Sequence, residues 1–205
     1  ELNQESSLEI AVTDLKVKEK LSEVNRRVDG SGGGVDWGNA VHMVFEKLVN
    51  TAKLNDSNFL IDTYIENVLQ ECDISIDRKN EIKKIIDVFK KNKIWARLKT
   101  AERVYTEVPF TIKIENQKEL YDRVIKNYIK TDFKNDKPII LSGIIDLVFK
   151  EDDGWVIIDY KTDRYKGEED KKILKQEYQK QVDTYALVWE EITGEDVKSS
   201  VIYFT

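Results

Sequence analysis

Apolar residues recur at helical spacing in the first half of the chain. Asp36 is predicted as the N-cap of a helix, and the apolar stripe that follows repeats every three or four residues: Val41, Val44, Phe45, Leu48 and Ala52. Further helices are predicted from about Ser57 to Leu69 and from Asp77 onward, the latter with Ile82, Ile85, Ile86 and Phe89 facing inward. A short polar helix is predicted from Thr13 to about Val28.

The second half of the chain alternates apolar and polar residues as strands do. One predicted strand places alternate residues on a single face, namely Val104, Thr106, Val108, Phe110, Ile112 and Ile114. Ile139–Phe149 and Trp155–Lys161 are predicted strands joined by a turn at Glu151–Gly154, and Ser199–Phe204 is the last strand. Helices are predicted at Gln117–Lys130 and Lys171–Ile192. This order predicts an α/β fold in which an antiparallel three-stranded meander is packed against helices.

Composition narrows the class of protein. The chain has 205 residues, of which 40% are apolar and 35% charged, as is usual for one globular domain. No apolar run reaches the roughly 20 residues of a membrane helix, so we expect no membrane association. The single cysteine, Cys72, excludes an internal disulfide and a four-cysteine zinc or iron–sulfur site in this chain, and we expect a cytoplasmic protein.

We expect a single domain that is a fragment of a longer protein. The chain starts at Glu1, and Met43 is its only methionine. Residues 1–29 are predicted as an N-terminal helical segment, residues 30–34 as a glycine-rich flexible linker, and residues 36–205 as the core. The linker is either a natural loop or an engineered replacement for a deleted segment.

Charge is distributed unevenly along the chain. The net charge is −6, but the segment Arg78–Arg103 holds ten basic and three acidic residues, so it carries +7 and the remainder −13. Such a segment is either an ordinary solvated helix face or a surface that contacts phosphates.

The predicted hairpin around residues 151–154 carries the strongest chemical signal. If Lys150 pairs with Trp155, then Asp146 lies directly opposite Asp159, and Lys161 follows two residues later on the same face. Opposed carboxylates repel, so the pair calls for a cation with a preference for oxygen ligands, such as Mg²⁺. A lysine beside it can orient an attacking water and stabilise charge on phosphorus. The alternative is a structural Asp–Lys pair in a sheet.

Other polar residues are candidates for the same site. His42, the only histidine, lies beside the apolar stripe of its helix and is either a metal ligand or a structural residue. Glu107 is predicted to point away from Val108 and Phe110, either as a metal-site carboxylate or as a solvated strand residue. Tyr178, Gln181 and Tyr185 share one helix face, which is either an aromatic core stripe or a surface for substrate.

These motifs together resemble the RecB-type branch of the PD-(D/E)XK nucleases. The matching elements, in order, are Gly38-x-x-Val41-His42, Glu107-x-Pro109-Phe110, Gly143-Ile-Ile-Asp146, Asp159-Tyr-Lys161-Thr-Asp163 and Tyr178-x-x-Gln181-x-x-x-Tyr185. The resemblance covers about Thr13 to Thr205 and is greatest to the C-terminal nuclease domains of AddA-type helicase–nucleases. Ile145 stands immediately before Asp146, where the superfamily name places a proline.

The resemblance implies a restriction-endonuclease-like core: a central mixed sheet with an antiparallel meander, flanked by helices, with extra helices between the first core helix and first strand. It implies that His42, Asp146, Asp159 and the Tyr160 carbonyl bind the metal and that Lys161 is catalytic. Glu107, Gln181 and Tyr185 would contact substrate or support the ligands. The implied metal is Mg²⁺, with Mn²⁺ as a substitute. DNA, an upstream helicase motor in the same polypeptide and a partner subunit of AddB type are the implied partners.

Three hypotheses for function follow. The first is a metal-dependent deoxyribonuclease domain, which we expect to act as an exonuclease, from a helicase–nuclease that processes DNA ends in recombination and repair. The second is a catalytically inactive nuclease fold used for DNA binding or subunit docking. The third is a stand-alone phage or plasmid exonuclease. Cleavage that depends on added metal separates the second hypothesis from the others.

Overall fold

The structure, a computed structural model, describes residues 7–15, 34–54, 60–116, 119–128 and 137–205. The strands are β1 (Leu8–Ala11), β2 (Arg103–Ile114), β3 (Ile139–Glu151), β4 (Gly154–Lys161) and β5 (Val197–Phe204). The helices are α1 (Val35–Leu54), α2 (Ile61–Glu71), α3 (Lys79–Lys91), α4 (Lys93–Thr100), α5 (Glu119–Tyr128) and α6 (Gly167–Thr193), with 3-10 turns at Val12–Leu15 and Ile76–Arg78.

The described strands form one mixed sheet that forks beside β3. On one edge, β3 pairs antiparallel with β2 along almost its whole length. On the other edge, Ile139–Ser142 pairs parallel with β1, and Leu147–Glu151 pairs antiparallel with β4. Residues Gly143–Asp146 lie between these two ladders. The predicted meander of β2, β3 and β4 is therefore confirmed, and β5 continues the sheet by running parallel to β4.

Helices cover both faces of the sheet, and each face has its own hydrophobic core. Helices α1 to α4 pack on one face, where Phe45, Phe89 and Tyr160 belong to the same buried cluster. Helix α6 packs on the other face, where Val182, Tyr185 and Val188 meet apolar residues of β2, β3 and β4, among them Ile145 and Ile157. Extra helices between the first core helix and the first strand of the meander are confirmed as α2 and α3, and α4 is a further helix that was not predicted separately.

The predicted single apolar face of β2 is wrong. Val104 packs in the core on the α1 side, whereas Val108, Phe110, Ile112 and Ile114 pack in the core on the α6 side. The change follows Glu107, which has a positive φ of 47°. A side chain in this left-handed conformation costs on the order of 1 kcal/mol, and here it turns the strand over. The β2–β3 register is the same on both sides of this point, so β3 turns over together with β2.

Several predicted boundaries also change. Asp36 lies inside the first turn of α1 rather than at its N-cap, where a carboxylate still interacts favourably with the helix dipole. Strand β1 was not predicted; four residues that pair with a neighbouring strand give little periodicity. The predicted helix Thr13–Val28 begins in a 3-10 turn, and its residues 16–28 lie outside the described residues, as do residues 30–33 of the linker. Helix α6 begins at Gly167, four residues before the predicted start.

Among the described residues, no helix is both long enough and apolar enough to cross a lipid bilayer.

Candidate active site

Asp146 lies at the fork of the sheet. There its side chain, rather than a backbone carbonyl, accepts a hydrogen bond from β4. The β3–β4 ladder has the predicted register, from Glu151 with Gly154 through Lys150 with Trp155 to Leu147 with Ile158. At the next position the Tyr160 amide donates a hydrogen bond to Asp146 Oδ2 at 2.6 Å. Asp146 and Asp159 are therefore not a ladder pair, although the register around them is as predicted. Asp146 is buried, as the apolar residues around it predict.

Three ligand-type side chains meet on the α1 side of the fork. His42 Nδ1 lies 3.6 Å from Asp146 Oδ1 and 3.6 Å from Glu107 Oε1. One ligand atom from each of the three residues falls within 4.8 Å of the others. The positive φ of Glu107 brings its side chain to this face beside Thr106, which exchanges hydrogen bonds with Asn50 of α1. The prediction that Glu107 points away from Val108 and Phe110 is confirmed.

The charges of this cluster are poorly compensated. Burial and the nearby charge of Asp159 raise the pKa of the Asp146 carboxyl to about 7. Burial by itself lowers the pKa of His42, but the carboxylates of Glu107 and Asp146 outweigh it, so the pKa of His42 is raised. Both pKa values are raised because several carboxylates lie close together in a site that is largely shielded from water.

Asp159 and Lys161 form a compensated pair on the α6 side of the fork. They continue the alternation of Trp155 and Ile157, whose side chains pack against α6. Lys161 Nζ lies 2.5 Å from Asp159 Oδ2. It also lies 4.7 Å from the centre of the Tyr178 ring. The two aspartates thus reach the fork from opposite sides, and Asp159 stands outside the cluster of His42, Glu107 and Asp146.

Helix α6 contributes further polar groups to the same side. Gln181 Nε2 donates a hydrogen bond to the Tyr185 hydroxyl at 2.8 Å, and both residues are buried. Gln181 Oε1 has no hydrogen-bond donor within the described part of the chain. Burial raises the pKa of Tyr185, and the charge of Asp159 raises it further.

Gly143 lets α6 approach the fork. A Cβ at this position would lie 2.8 Å from Phe110 and 3.2 Å from Tyr185. The glycine in the Gly143–Asp146 motif therefore has a packing role, because any side chain there would displace the ring of Tyr185 or Phe110.

The residues at the fork fit a hard divalent cation. An imidazole nitrogen and carboxylate oxygens are suitable ligands for Mg²⁺ or Mn²⁺. Glu107 Oε1 is buried, and no donor in the described residues forms a hydrogen bond with it. A buried acceptor without a donor is costly, and a bound cation would satisfy it. Tyr160 faces this site with its backbone amide and, at 5.8 Å between ring centres, with an edge contact to His42.

A groove of about 630 Å³ opens beside the cluster. Its walls include His42, Glu107 and the first turns of α1 on one side and Glu71 with Cys72 on the other. His42 and Glu107 of the cluster are therefore reached from this groove.

Two contacts at the site were not predicted from the sequence. Tyr178 donates a hydrogen bond from its hydroxyl to Asp163 at 2.8 Å, which holds its ring against Lys161. Gly38 lies against the chain just beyond Lys161, since a Cβ there would be 3.4 Å from Thr162 Oγ1. The signal for the first was the presence of both residues in the quoted motifs. For the second, the glycine at position 38 indicates that another segment approaches closely, but which segment does so depends on how α1 docks.

Comparisons with known proteins agree with this architecture. The family model of the PD-(D/E)XK nuclease superfamily matches residues 14–205. The A subunit of the ATP-dependent helicase/nuclease of Clostridium novyi (strain NT) is 35% identical over 174 residues, covering 83% of this chain and 13% of the relative. The protein of the same name in Clostridioides difficile (strain 630) is 31% identical over 208 residues, covering 98% of this chain and 16% of the relative.

The chain thus spans less than a fifth of the length of these relatives. The match to the family model extends over all of the sheet except β1 and over every described helix that flanks it. Because the fold, the order of the motifs and the sequence match agree, we conclude that the chain belongs to the PD-(D/E)XK nuclease superfamily.

Proposed function

We propose that this chain is a Mg²⁺-dependent DNA nuclease domain that hydrolyses phosphodiester bonds, as part of a helicase–nuclease that processes DNA ends. The observation that carries the proposal is the fork of the sheet. His42, Glu107 and Asp146 meet there on one side with excess negative charge, and Asp159 with Lys161 approaches from the other. Membership of a nuclease superfamily supports this interpretation.

In this proposal His42, Asp146, Asp159 and the Tyr160 carbonyl hold the cation, and Glu107 holds it directly or through a water. When bound, the cation supplies Lewis acidity toward a phosphoryl oxygen and lowers the pKa of a water molecule. The burial of Asp146 and Asp159 excludes bulk water, which strengthens every electrostatic interaction in the site.

Lys161 is the proposed catalytic residue. Its ammonium group has three donors and no lone pair, so it cannot bind a cation while protonated. It can donate a hydrogen bond to the attacking water or to the phosphoryl oxygen on which charge develops. The ammonium group lies beside the fork, 4.7 Å from the centre of the Tyr178 ring and 2.5 Å from Asp159 Oδ2.

Gln181 and Tyr185 are proposed to contact the substrate. The amide oxygen of Gln181 lacks a donor in the described structure, and its nitrogen already donates to Tyr185. A buried amide with half of its capacity unused is suited to a sugar, a base edge or a water held by the phosphate.

The name of the relatives supports the wider assembly. Each is called the A subunit of an ATP-dependent helicase/nuclease. We accordingly propose a helicase motor upstream in the same polypeptide, a partner subunit of AddB type, DNA as the substrate, and exonuclease action on DNA ends.

Cleavage of labelled DNA tests the proposal. Single-stranded and double-stranded oligonucleotides, labelled at either end, are incubated with the chain in Mg²⁺, in Mn²⁺ and in EDTA. We expect cleavage in both metals and none in EDTA, with mononucleotides or short products released from one end. Binding without cleavage under every condition would instead favour a catalytically inactive nuclease fold.

A further inference from the structure

A cluster of cationic side chains lies where the inserted helices meet the active-site elements. Arg78 precedes α3, Lys84 lies within α3, and Arg164 follows β4. All three cations act on one carboxylate, Glu81, whose pKa they lower, with Arg78 as the main cause. We call the group formed by Arg78, Glu81 and Arg164 the arginine rim.

Arg78 is held rigidly within the rim. Its guanidinium carbon lies 3.7 Å from the centre of the Trp37 ring. Its Nε and Nη2 atoms donate to the two carboxylate oxygens of Glu81 at 3.0 and 2.9 Å. Stacking and a two-point hydrogen bond fix a guanidinium group better than a single ion pair does. Arg78 and Glu81 therefore form a bracket of defined geometry.

Arg164 lies beside this bracket but is not neutralised by it. Its Nη2 lies 3.8 Å from Glu81 Oε2, which is beyond hydrogen-bond distance, and 48% of its side chain is exposed. Arg78 already occupies both oxygens of Glu81. Two arginines share one carboxylate, and the exposed Lys84 lies nearby, so the rim keeps net positive charge. The exposed guanidinium group of Arg164 can therefore donate hydrogen bonds to an incoming anion.

The rim is attached to the active site on two sides. Arg164 is three residues beyond Lys161, a distance of at most about 11 Å along an extended chain. Trp37, on which Arg78 stacks, is five residues before His42 on α1, or about 7.5 Å along the helix axis. These two segments lie close together, since a Cβ built on Gly38 would be 3.4 Å from Thr162 Oγ1. The rim is therefore fixed relative to both His42 and Lys161.

We propose that the arginine rim binds a backbone phosphate of the substrate strand, displaced from the scissile phosphate, with Arg164 as the binding group and Arg78–Glu81 as its support. This inference rests on the proposed nuclease function. Each strand of DNA carries one charge per nucleotide, so a cation at most about 11 Å along the chain from Lys161 is within reach of a phosphate near the scissile one. Guanidinium groups bind phosphate through two parallel hydrogen bonds, which places the strand in register with the cleavage site.

The test uses binding without cleavage. A 5′-fluorescein-labelled single-stranded 20-mer is titrated in EDTA with the wild-type chain, Arg164→Ala, Arg164→Lys and Lys99→Ala, at several salt concentrations. Lys99 is the matched control, because it is an exposed cation on α4, whose Arg97 pairs with Glu151 at the end of β3. We expect Arg164→Ala to weaken binding about five- to tenfold and to reduce the salt slope by about 0.7, the value for one phosphate contact on a single strand.

The other variants separate geometry from charge. Arg164→Lys should weaken binding by about two- to threefold while keeping the salt slope, since it retains the charge and loses the two-point contact. Lys99→Ala should match the wild type. The same panel is then assayed for cleavage in Mg²⁺, where Arg164→Ala should raise KM and leave kcat within about twofold.

The outcomes distinguish the rim from the nuclease proposal. If Arg164→Ala and Lys99→Ala bind the 20-mer with the same affinity and the same salt slope, the proposal that the rim binds phosphate is wrong, whether or not the wild type cleaves DNA. If Arg164→Ala alone weakens binding but the wild type does not cleave in any metal, the rim stands and the nuclease proposal fails. Wild-type protein that does not bind the 20-mer at low salt would overturn the rim as well.

Discussion

The two sides of the forked strand differ in how their charges are balanced. On the α1 side, two carboxylates, Glu107 and Asp146, lie around the one imidazole of His42. On the α6 side, Asp159 has Lys161 at 2.5 Å, and Lys161 has the Tyr178 ring. In the proposed function this difference becomes a division of roles, in which the α1 side binds the metal cation and the α6 side supplies the ammonium group of Lys161.

Mutations on the two sides should have the largest effects on cleavage and should differ in their effect on metal binding. Lys161→Ala should reduce cleavage by about 10²-fold or more, the scale of one lost electrostatic donor, and leave metal and DNA affinity largely intact. Asp146→Ala should abolish metal binding as well as cleavage, because it removes a ligand. Isothermal calorimetry with Mn²⁺ and a cleavage assay on the same proteins measure both.

Lys150→Ala is the control for the lysine. Lys150 lies at the other end of the same hairpin, in an ion pair with Glu195, and should retain wild-type cleavage. Cleavage by Lys161→Ala at the wild-type rate would remove the catalytic role of the α6 side.

A second effect is metal-linked stability. A cation that binds only the folded chain stabilises it by about 2.7 kcal/mol at a concentration of 100 Kd. We expect the thermal unfolding temperature to rise in Mn²⁺ or Mg²⁺, and Asp146→Asn to reduce this rise. Asp152→Asn, an exposed turn residue, should behave like the wild type. An unfolding temperature that stays constant up to saturating metal would argue against a cation at the fork.

A third effect appears without metal, as a dependence of stability on pH. The pKa of Asp146 is raised from its ordinary value to about 7, so the folded state binds a proton there more tightly than the unfolded state does. That advantage is present at low pH and is lost as the pH rises from about 4 to 7. His42, whose pKa is also raised, adds stability that is lost as the pH rises through its own raised value.

The free energy of unfolding in EDTA should therefore fall by on the order of 1–3 kcal/mol between about pH 4 and pH 8. Asp146→Asn should flatten this decline, and Asp152→Asn should not. Urea unfolding at each pH measures it. A metal-free protein whose free energy of unfolding rises between pH 4 and pH 8 would show that Asp146 does not have a raised pKa in the folded state.

Most of the architecture could be predicted from the sequence because it depends on residues that are close together along the chain. The turn at residues 151–154 sets the β3–β4 register, and the stripe of α1 sets which side of that helix is buried. The motif order then identifies the fold.

What could not be predicted is set by tertiary contacts. The positive φ of Glu107, which moves Val108 to the other core, is no feature of its residue type. Nor does the hairpin register reveal that β3 exchanges one partner strand for another between Ser142 and Leu147, which keeps Asp146 and Asp159 from pairing across the ladder. Periodicity describes regular strands, and this site lies where two strands cease to be regular.

The smallest expected effect concerns the basic segment Arg78–Arg103. Part of its charge is used within the fold, because Lys83 pairs with Asp62 at 3.0 Å and Arg97 with Glu151 at 2.8 Å. Replacing Lys84, Lys90 and Lys91 by Ala should weaken DNA binding severalfold and reduce its salt slope. Replacing Lys83 alone should change neither. An unchanged slope in the triple variant would identify the segment as an ordinary solvated helix face.

Anomalous diffraction from crystals soaked in Mn²⁺ would locate the cation at the fork. We expect a peak at about 2.0–2.3 Å from a carboxylate oxygen of Asp146 and a nitrogen of His42, with Asp159 turned toward it and Lys161 Nζ outside its coordination shell. Asp146→Ala crystals treated in the same way should show no such peak. A wild-type crystal whose Mn²⁺ binds elsewhere, away from both His42 and Asp146, would show that the fork is not the metal site.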